Sequence, residues 1–224
     1  MDSKNVLNSQ LFDLNKKGTI IIGTMRSGSN FLRALVGSRL AESNIPYNDN
    51  GEYFTDRFDV EGTDDEYSYF NMVEKLQKVT ANNDSYSVGT IVYTELDMIS
   101  CNPSSFKWYN DNYHLIKLYR RNYINHFMSH CIFLHTNRQY KYDTFSQLGM
   151  PLPVKYDIRE INNFIKKILE LNRFPCDNTL VYEDIEPVPI GEVVKNIYNI
   201  TPKEFFADYD KLVEMFNLLE YNVG

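Results

Sequence analysis

Short runs of β-branched and aromatic residues alternate along this chain with stretches in which apolar residues recur every three or four positions. The runs predict four strands, at 19–22, 85–93, 114–119 and 179–182. The periodic stretches predict helices at about 30–43, 67–80, 123–135, 158–171, 190–198 and 203–219. Strands that alternate with helices in this way predict an α/β fold, with a mainly parallel central sheet flanked by helices.

The remaining segments are polar and irregular. Residues 1–17 form a polar lead-in, residues 44–51 form a loop that leads to Glu52, and residues 136–157 form a second irregular connection. No repeat or low-complexity linker divides the 224 residues. We therefore expect one domain over 1–224.

Composition narrows the class of protein. Hydrophobic residues make up 43% of the chain and aromatic residues 14%, which is sufficient for a buried core. A net charge of −7 argues against nucleic acid and anionic membranes as partners. No run is long enough to span a membrane, and the polar start lacks a signal-peptide core. The three cysteines are far apart, which predicts reduced thiols and a cytoplasmic location.

The segment 18–40 carries the strongest candidate chemistry. An apolar run at 19–22 is followed by a loop of small polar residues at 23–29 and then by a stretch with helical periodicity. In such a strand–loop–helix unit, the free N–H groups of the loop and the helix dipole favour a bound anion. Arg26 adds a positive charge, and Ser29 or Asn30 can cap the helix.

Two interpretations of this unit remain open: an ordinary first strand–helix turn, and a phosphate site. The loop lacks the Gly-x-x-x-x-Gly-Lys-Ser/Thr sequence of the Walker A motif. It therefore lacks the lysine and the Mg²⁺-binding hydroxyl at their usual places. Their absence argues against an ATPase or a GTPase.

Further polar residues are expected at the same edge of the sheet. Gly23, Arg121 and Glu183 each lie just past the end of a predicted strand, and ligands of parallel sheets bind at the carboxyl ends of the strands. Arg121 and Ser129 are eight residues apart, so both can face one anion if Ser129 lies two turns into the following helix. A guanidinium and a hydroxyl suit a phosphate monoester.

The stretch Thr-Met-Arg-Ser-Gly-Ser-Asn-Phe-Leu at 24–32 resembles the loop that sulfotransferases wrap around the 5′-phosphosulfate of 3′-phosphoadenosine 5′-phosphosulfate (PAPS). The family usually reads T-P-R-S-G-S-T-x-L, and here Met25 replaces the proline and Asn30 the second threonine. The resemblance implies a P-loop-like α/β domain. It also implies that the donor is bound by Thr24, Met25, Arg26, Ser27, Gly28, Ser29 and Asn30.

A second stretch, 118–129, is similar to the sulfotransferase motif that holds the 3′-phosphate through an arginine and a serine at this separation. This likeness implies that Arg121 and Ser129 are the 3′-phosphate ligands. It leaves two roles open for Arg120, which either assists Arg121 in the 3′-phosphate site or is a surface charge.

The tripeptide at 52–54, Glu-Tyr-Phe, is by itself unremarkable, and an ordinary solvated glutamate is the default interpretation. A branch of bacterial carbohydrate sulfotransferases, the trehalose 2-sulfotransferase-like family, carries the same tripeptide at this point. Its glutamate is the presumed catalytic base, which implies this role for Glu52. The branch also has a Tyr-Glu-Asp that matches 182–184, to which we assign a structural role in ordering the loop or capping a helix. Its Gly-x-Lys is only partly matched, because Ile91 stands in place of the lysine.

The resemblance thus implies in-line transfer of a sulfuryl group from PAPS to an acceptor hydroxyl, leaving adenosine 3′,5′-bisphosphate. Glu52 would take the hydroxyl proton, and Arg26 would stabilise the departing phosphate. No metal is implied. A carbohydrate or glycolipid hydroxyl is the expected acceptor, with the loops at 44–66 and 136–157 shaping its pocket.

Other possibilities stay open from sequence. The rival functions are a small-molecule kinase and a protein of the same fold that binds nucleotide without catalysis. The oligomeric state is open, a homodimer included. His126 and His130 have the i,i+4 spacing of a metal pair, but surface or core histidines are the interpretation we favour for the cluster that they form with His135.

Overall fold

The computed structural model describes residues 9–24, 26–52, 85–92, 103–136, 152–185 and 200–223. The strands are β1 (Gly18–Gly23), β2 (Tyr47–Glu52), β3 (Tyr86–Val92), β4 (Tyr113–Tyr119) and β5 (Asn178–Val181). The helices are α1 (Ser29–Glu42), α2 (Pro103–Asn112), α3 (Tyr123–Thr136), α4 (Ile158–Arg173), α5 (Pro202–Phe205) and α6 (Tyr209–Val223). A 3₁₀ turn, Tyr182–Asp184, follows β5.

The five strands form one sheet in the order β2-β3-β1-β4-β5, and every pairing is parallel. β1 lies at the centre, with Gly23 opposite Val92 of β3 and Leu118 of β4. The prediction of an α/β domain with a parallel central sheet and flanking helices is confirmed. Because all strands run the same way, all their carboxyl ends meet at one edge.

Both faces of the sheet are buried, which explains why β1 is apolar without alternation. Ile21 packs on one face with the apolar side of α1, including Leu32 and Leu35. Ile20 and Ile22 pack on the other face in a cluster that α2 and α4 complete. Alternate residues of one short strand therefore anchor helices on opposite sides.

A second core lies among the helices rather than on the sheet. Phe127 of α3 is fully buried there. Its ring contacts Phe164 of α4, Phe216 of α6 and Phe206, which lies between α5 and α6. These aromatic contacts fix α3 against α4 and α6, and so fix the direction in which the opposite side of α3 faces.

Some boundaries differ from the sequence-based predictions. β2 occupies most of the predicted loop at 44–51. Among the described strands it pairs with β3 alone, at the border of the sheet, where polar residues are tolerated and leave no apolar pattern to detect. α2 was likewise not predicted. The helix predicted at 203–219 is two helices, because Phe206 leaves helical geometry and bridges Val154. The helices predicted at 67–80 and 190–198 lie outside the described residues.

The lead-in predicted to be polar is partly built into the core. Leu11 is fully buried, and its carbonyl accepts a hydrogen bond from Thr19 Oγ1 at 3.0 Å. The carbonyl of Gln10 lies 3.1 Å from His114 Nε2. The described part of the lead-in, residues 9–17, therefore packs against β1 and β4. None of the helices in the described ranges is long and apolar enough to cross a membrane.

Candidate functional site

The loop after β1 and the loop after β4 lie side by side at the carboxyl edge of the sheet. β1 pairs directly with β4, yet the chain leaves β1 toward β2 at one border of the sheet and leaves β4 toward β5 at the other. Neighbouring strands whose connections diverge in this way create a crevice, which is where ligands of open parallel sheets bind. We call residues 24–28 after β1 the anion loop.

The anion loop has the backbone of an anion-binding nest. Arg26 and Gly28 both have positive φ, at 65° and 100°, and Ser27 N–H donates to the Thr24 carbonyl at 3.1 Å. Left-handed residues in such a turn direct successive N–H groups toward one concavity. A non-glycine residue in this region costs about 1–2 kcal/mol, so Arg26 holds strain at this point. Met25 lies outside the described residues.

The prediction that Ser29 or Asn30 caps α1 is wrong. The cap is Gly28, which makes no side-chain hydrogen bond. Asn30 Oδ1 instead accepts from Arg33 at 3.0 Å. The N-cap of α1 therefore makes no side-chain hydrogen bond. The N–H groups at a helix N-terminus have no partner within the helix, and together with the positive end of the helix dipole they favour an anion.

Hydroxyl groups line the anion loop below the surface. Thr24 is 4% exposed and Ser27 is fully buried. Ser27 Oγ has no hydrogen-bond partner among the described residues. A Cβ on Gly23 would lie 2.4 Å from this oxygen, so glycine is required for Ser27 to fit there. A buried hydroxyl without a partner is costly, and an anion that accepts its hydrogen would remove that cost.

Helix α3 closes the crevice from the β4 side and contacts the anion loop at two points. Thr24 Oγ1 lies 3.2 Å from His126 Nε2, and Arg26 Nε donates to Ser129 Oγ at 3.4 Å. The Arg26 guanidinium also lies over the ring of Phe133, 5.9 Å from its centre. The structure therefore brings together two predicted site residues, Arg26 and Ser129, in the crevice.

Arg121 is oriented by a different partner. Its guanidinium donates to Asp184 at 2.7 Å, and its side chain is 63% exposed. Hydrogen bonding to Asp184 raises the pKa of Arg121. Ser129 is six residues beyond the first residue of α3, about 9 Å along its axis. In the described contacts Arg121 pairs with Asp184 and Ser129 with Arg26, so the structure does not bring Arg121 and Ser129 onto a shared partner.

A cavity of about 450 Å³ opens beside Arg121. It is lined by the start of α3, the 3₁₀ turn and α6, with Arg121, Asn122, Tyr123, Ile124, Glu183, Phe216 and Asn217. Its volume is in the range of small-ligand pockets. The cavity therefore provides room for a ligand at the carboxyl end of β4.

Glu183 and Tyr182 support the two loops from below. Glu183 accepts the backbone N–H groups of Arg121 at 2.8 Å and Asn122 at 3.2 Å, which bears out the predicted role in ordering the loop. The ring of Tyr182 packs so closely that a Cβ on Gly28 would lie 2.3 Å from it. The Arg120 guanidinium lies 4.7 Å from the centre of the same ring. With its side chain 14% exposed, Arg120 is a packing residue rather than a surface charge.

Glu52 was predicted on a loop, and it is the last residue of β2 instead. Its backbone pairs with Thr90 after an irregularity in the β2 register, and Thr90 pairs in turn with Ile21. The backbone of Glu52 is thus level with Ile21, two residues and about 7 Å short of the end of β1. Its role as a base stays a prediction. Tyr53 and Phe54 lie outside the described residues.

Two further kinds of chemistry receive no support. Burial raises the pKa of the free thiols of Cys131 and Cys176 to about 12, so neither is a thiolate nucleophile at neutral pH. In the part of the chain that the structure describes, no three His, Cys, Asp or Glu residues are grouped so as to hold a metal ion.

The sequence-based search did not identify His126 and Tyr182 as site residues. His126 is 1% exposed and bonded to the anion loop, so the core interpretation of this histidine holds only in part. Its signal was present in the sequence, because His126 and Ser129 are three residues apart on one helix and share a face. For Tyr182 the sequence indicated only the structural role assigned to 182–184, and its packing on Gly28 becomes visible in the structure.

Comparisons of the chain with models of protein families, with curated proteins and with solved structures find no significant match.

Replacing Gly28 by alanine tests the packing of Tyr182 on the anion loop. Gly51 provides a matched control, since it too has positive φ, at 66°, but a Cβ there meets no described residue within 4 Å. Both variants incur the left-handed backbone strain of about 1–2 kcal/mol. Gly28→Ala should cost about 1–3 kcal/mol more, because the new methyl group collides with Tyr182. Urea unfolding measures the difference, and equal losses for the two variants would contradict the packing.

The burial of His130 predicts a pH-dependent stability. Desolvation, aided by the charges of Lys167 and Arg26, lowers the pKa of His130 from 6.5 to about 4. Below 6.5 the unfolded chain binds a proton that the folded chain rejects until about pH 4, so stability falls as pH falls through this window. The loss should be on the order of 3 kcal/mol at its completion.

His130→Phe keeps a ring between Phe127 and Phe164 and removes the titration. Urea unfolding gives the free energy of unfolding of both proteins at about pH 7.5 and about pH 4.5. The loss between the two pH values in wild type minus the loss in the variant is the contribution of His130. Wild type should lose more stability on acidification than the variant. If both lose the same amount, the histidine is not held neutral by burial.

Proposed function

We propose that this protein is a PAPS-dependent sulfotransferase that acts on an acceptor hydroxyl, with a carbohydrate or glycolipid as the expected acceptor. The observation that carries the proposal is the anion loop: a strained nest at an uncapped helix N-terminus, with Arg26 and Ser129 meeting beside it. This geometry favours a bound phosphate or sulfate. Among the possible anionic ligands we choose PAPS because residues 24–32 and 118–129 resemble the donor motifs of sulfotransferases.

The residues present fit such a donor. The buried hydroxyl of Ser27 lacks a partner among the described residues, and an anion in the loop provides one. The N–H groups of Ser29 and Asn30 lie in the first turn of α1, which has no side-chain cap. They and the guanidinium of Arg26 would hold the 5′-phosphosulfate. Arg121 and Ser129 would hold the 3′-phosphate, and Arg121, which pairs with Asp184 through Nη2, has further N–H donors for the ligand.

The chemistry divides among three groups of this chain. PAPS supplies an activated sulfuryl group when it is bound. The Glu52 carboxylate accepts the proton of the acceptor hydroxyl, which makes that oxygen a competent nucleophile. Arg26 and the N–H groups of the anion loop stabilise the negative charge that accumulates on the departing 5′-phosphate. These donors are already oriented by the fold, so little reorganisation is needed during the reaction.

The proposal predicts that the protein binds adenosine 3′,5′-bisphosphate in the presence of EDTA. Arg26→Ala should weaken the binding of both this ligand and adenosine 5′-monophosphate, because in the proposal Arg26 faces the 5′-phosphate that they share. Arg121→Ala should weaken only the bisphosphate. Each loss should be about 10- to 100-fold, the value of a charge-assisted hydrogen bond. Titration calorimetry measures the affinity of wild type and of each variant for each of the two nucleotides.

Arg39→Ala is the control, since it also removes one positive charge, at the far end of α1, where Arg39 pairs with Glu42. It should leave both affinities nearly unchanged. An equal effect of Arg121→Ala on the two nucleotides would refute its assignment to the 3′-phosphate. Tight binding of ATP–Mg²⁺ without response to the bisphosphate would favour a kinase instead.

The assignment of Glu52 predicts a loss of turnover without a loss of donor binding. Glu52→Gln preserves shape and cannot accept a proton, so kcat should fall by about 10²-fold or more while the bisphosphate affinity is retained. Glu42→Gln makes the same chemical change on the exposed end of α1, where Glu42 pairs with Arg39. It should not alter kcat. Normal turnover by Glu52→Gln, measured with labelled PAPS, would place the base elsewhere, and bisphosphate binding without any turnover by wild type would indicate a binder rather than an enzyme.

A further inference from the structure

Helix α3 presents one face to the anion loop and the other to the aromatic core. On the loop side, His126 and Ser129 contact Thr24 and Arg26. Both α3 residues are nearly inaccessible, at 1% and 3% exposure. Contacts at two positions on one helix, to residues two apart in the loop, hold the loop in register with α3.

The ring of His126 is held in place from its other side. It lies edge-on against Phe164 of α4, with the ring centres 4.9 Å apart. Phe164 is itself buried in the core among the helices. The imidazole therefore has little freedom to swing, and its Nε2 atom is directed at the hydroxyl of Thr24.

The direction of the hydrogen bond between His126 and Thr24 decides what Thr24 can offer a ligand. The Thr24 hydroxyl has a single hydrogen. If it donates to Nε2, it has none left for an anion. If Nε2 carries the hydrogen and donates to Thr24 Oγ1, the hydroxyl keeps its own hydrogen. A phosphate or sulfate accepts hydrogen bonds from every partner, so an anion in the loop favours the second arrangement.

We propose that His126 is a positioning residue for anion binding: its Nε2–H donates to Thr24 Oγ1 and thereby orients the Thr24 hydroxyl as a donor to the bound anion. The inference rests on the proposed function, in that it needs an anion in the loop after β1. It goes beyond that function by assigning a buried helix residue to the donor site, and it does not depend on which acceptor is used.

Two substitutions separate this role from simple packing. His126→Gln retains an amide N–H close to the place of Nε2, whereas His126→Phe retains a ring against Phe164 and has no donor. Calorimetry with adenosine 3′,5′-bisphosphate, and with inorganic pyrophosphate as a probe of the loop alone, should show about 2- to 10-fold weaker binding for His126→Phe. Binding by His126→Gln should lie close to wild type. If His126 only packs, His126→Phe should bind like wild type and His126→Gln should bind more weakly.

A double-mutant cycle provides the second criterion. Thr24→Val should weaken binding of the bisphosphate by at least as much as His126→Phe does. The double variant should bind no more weakly than Thr24→Val alone. Additive losses, or wild-type affinity in His126→Phe, would overturn the inference. Should His126→Phe fail to fold, ¹⁵N NMR of wild type with bisphosphate bound decides: the Nε2–H tautomer of His126 supports the proposal and the Nδ1–H tautomer overturns it.

The two probes distinguish this inference from the proposed function. If pyrophosphate binds with the expected dependence on His126 and the bisphosphate does not bind, sulfuryl transfer is refuted and the role of His126 stands. If the bisphosphate binds equally to wild type and His126→Phe, the inference alone is refuted. If wild type binds neither probe, both are refuted.

Discussion

The parallel pairing of β1 with β4 is the constraint on which the candidate site depends. It places Gly23 opposite Leu118, so the loops that follow the two strands emerge side by side. Because the chain then runs to opposite borders of the sheet, α1 and α3 diverge and leave a crevice between them. The anion loop and the inner face of α3 form its two walls. The hydrogen bonds across the crevice, between Thr24 and His126 and from Arg26 to Ser129, follow from this pairing rather than from any feature local to the loop.

The anion loop is strained, and its neighbours compensate for the strain. Positive φ at Arg26 is tolerated because the loop is fixed at its start by β1, at its end by α1 and from below by Tyr182. The same tyrosine ring carries the guanidinium of Arg120, so one side chain supports the loops after both strands. Preorganised N–H groups are what an anion site requires, since donors that are already aimed need no rearrangement when the ligand arrives.

Features with a local physical cause were predictable from sequence, and features that depend on distant contacts were not. The β-branched run at 19–22 and the stripe on α1 identified the central strand and its helix, because burial imposes those patterns. β2 carries no such pattern, since its residues are mostly polar and its pairing with β3 relies on backbone hydrogen bonds that leave no trace in the sequence. The anion loop was recognisable from its small polar residues, yet its cap was mispredicted because Gly28 adopts a left-handed backbone against Tyr182. The spacing of His126 and Ser129 puts both on one face of α3, but the contact of His126 with Thr24 depends on how α3 packs on α4, which no local pattern contains.

The central claim is that the loop after β1 holds the 5′-phosphate end of an adenosine nucleotide that also carries a 3′-phosphate. A crystal structure of the protein with adenosine 3′,5′-bisphosphate tests it most directly. The 5′-phosphate should lie within hydrogen-bond distance of the backbone N–H groups at 26–30, and the 3′-phosphate should lie against Arg121 and Ser129. A nucleotide bound away from the carboxyl edge of β1, or with its 5′-phosphate outside the anion loop, would contradict the account.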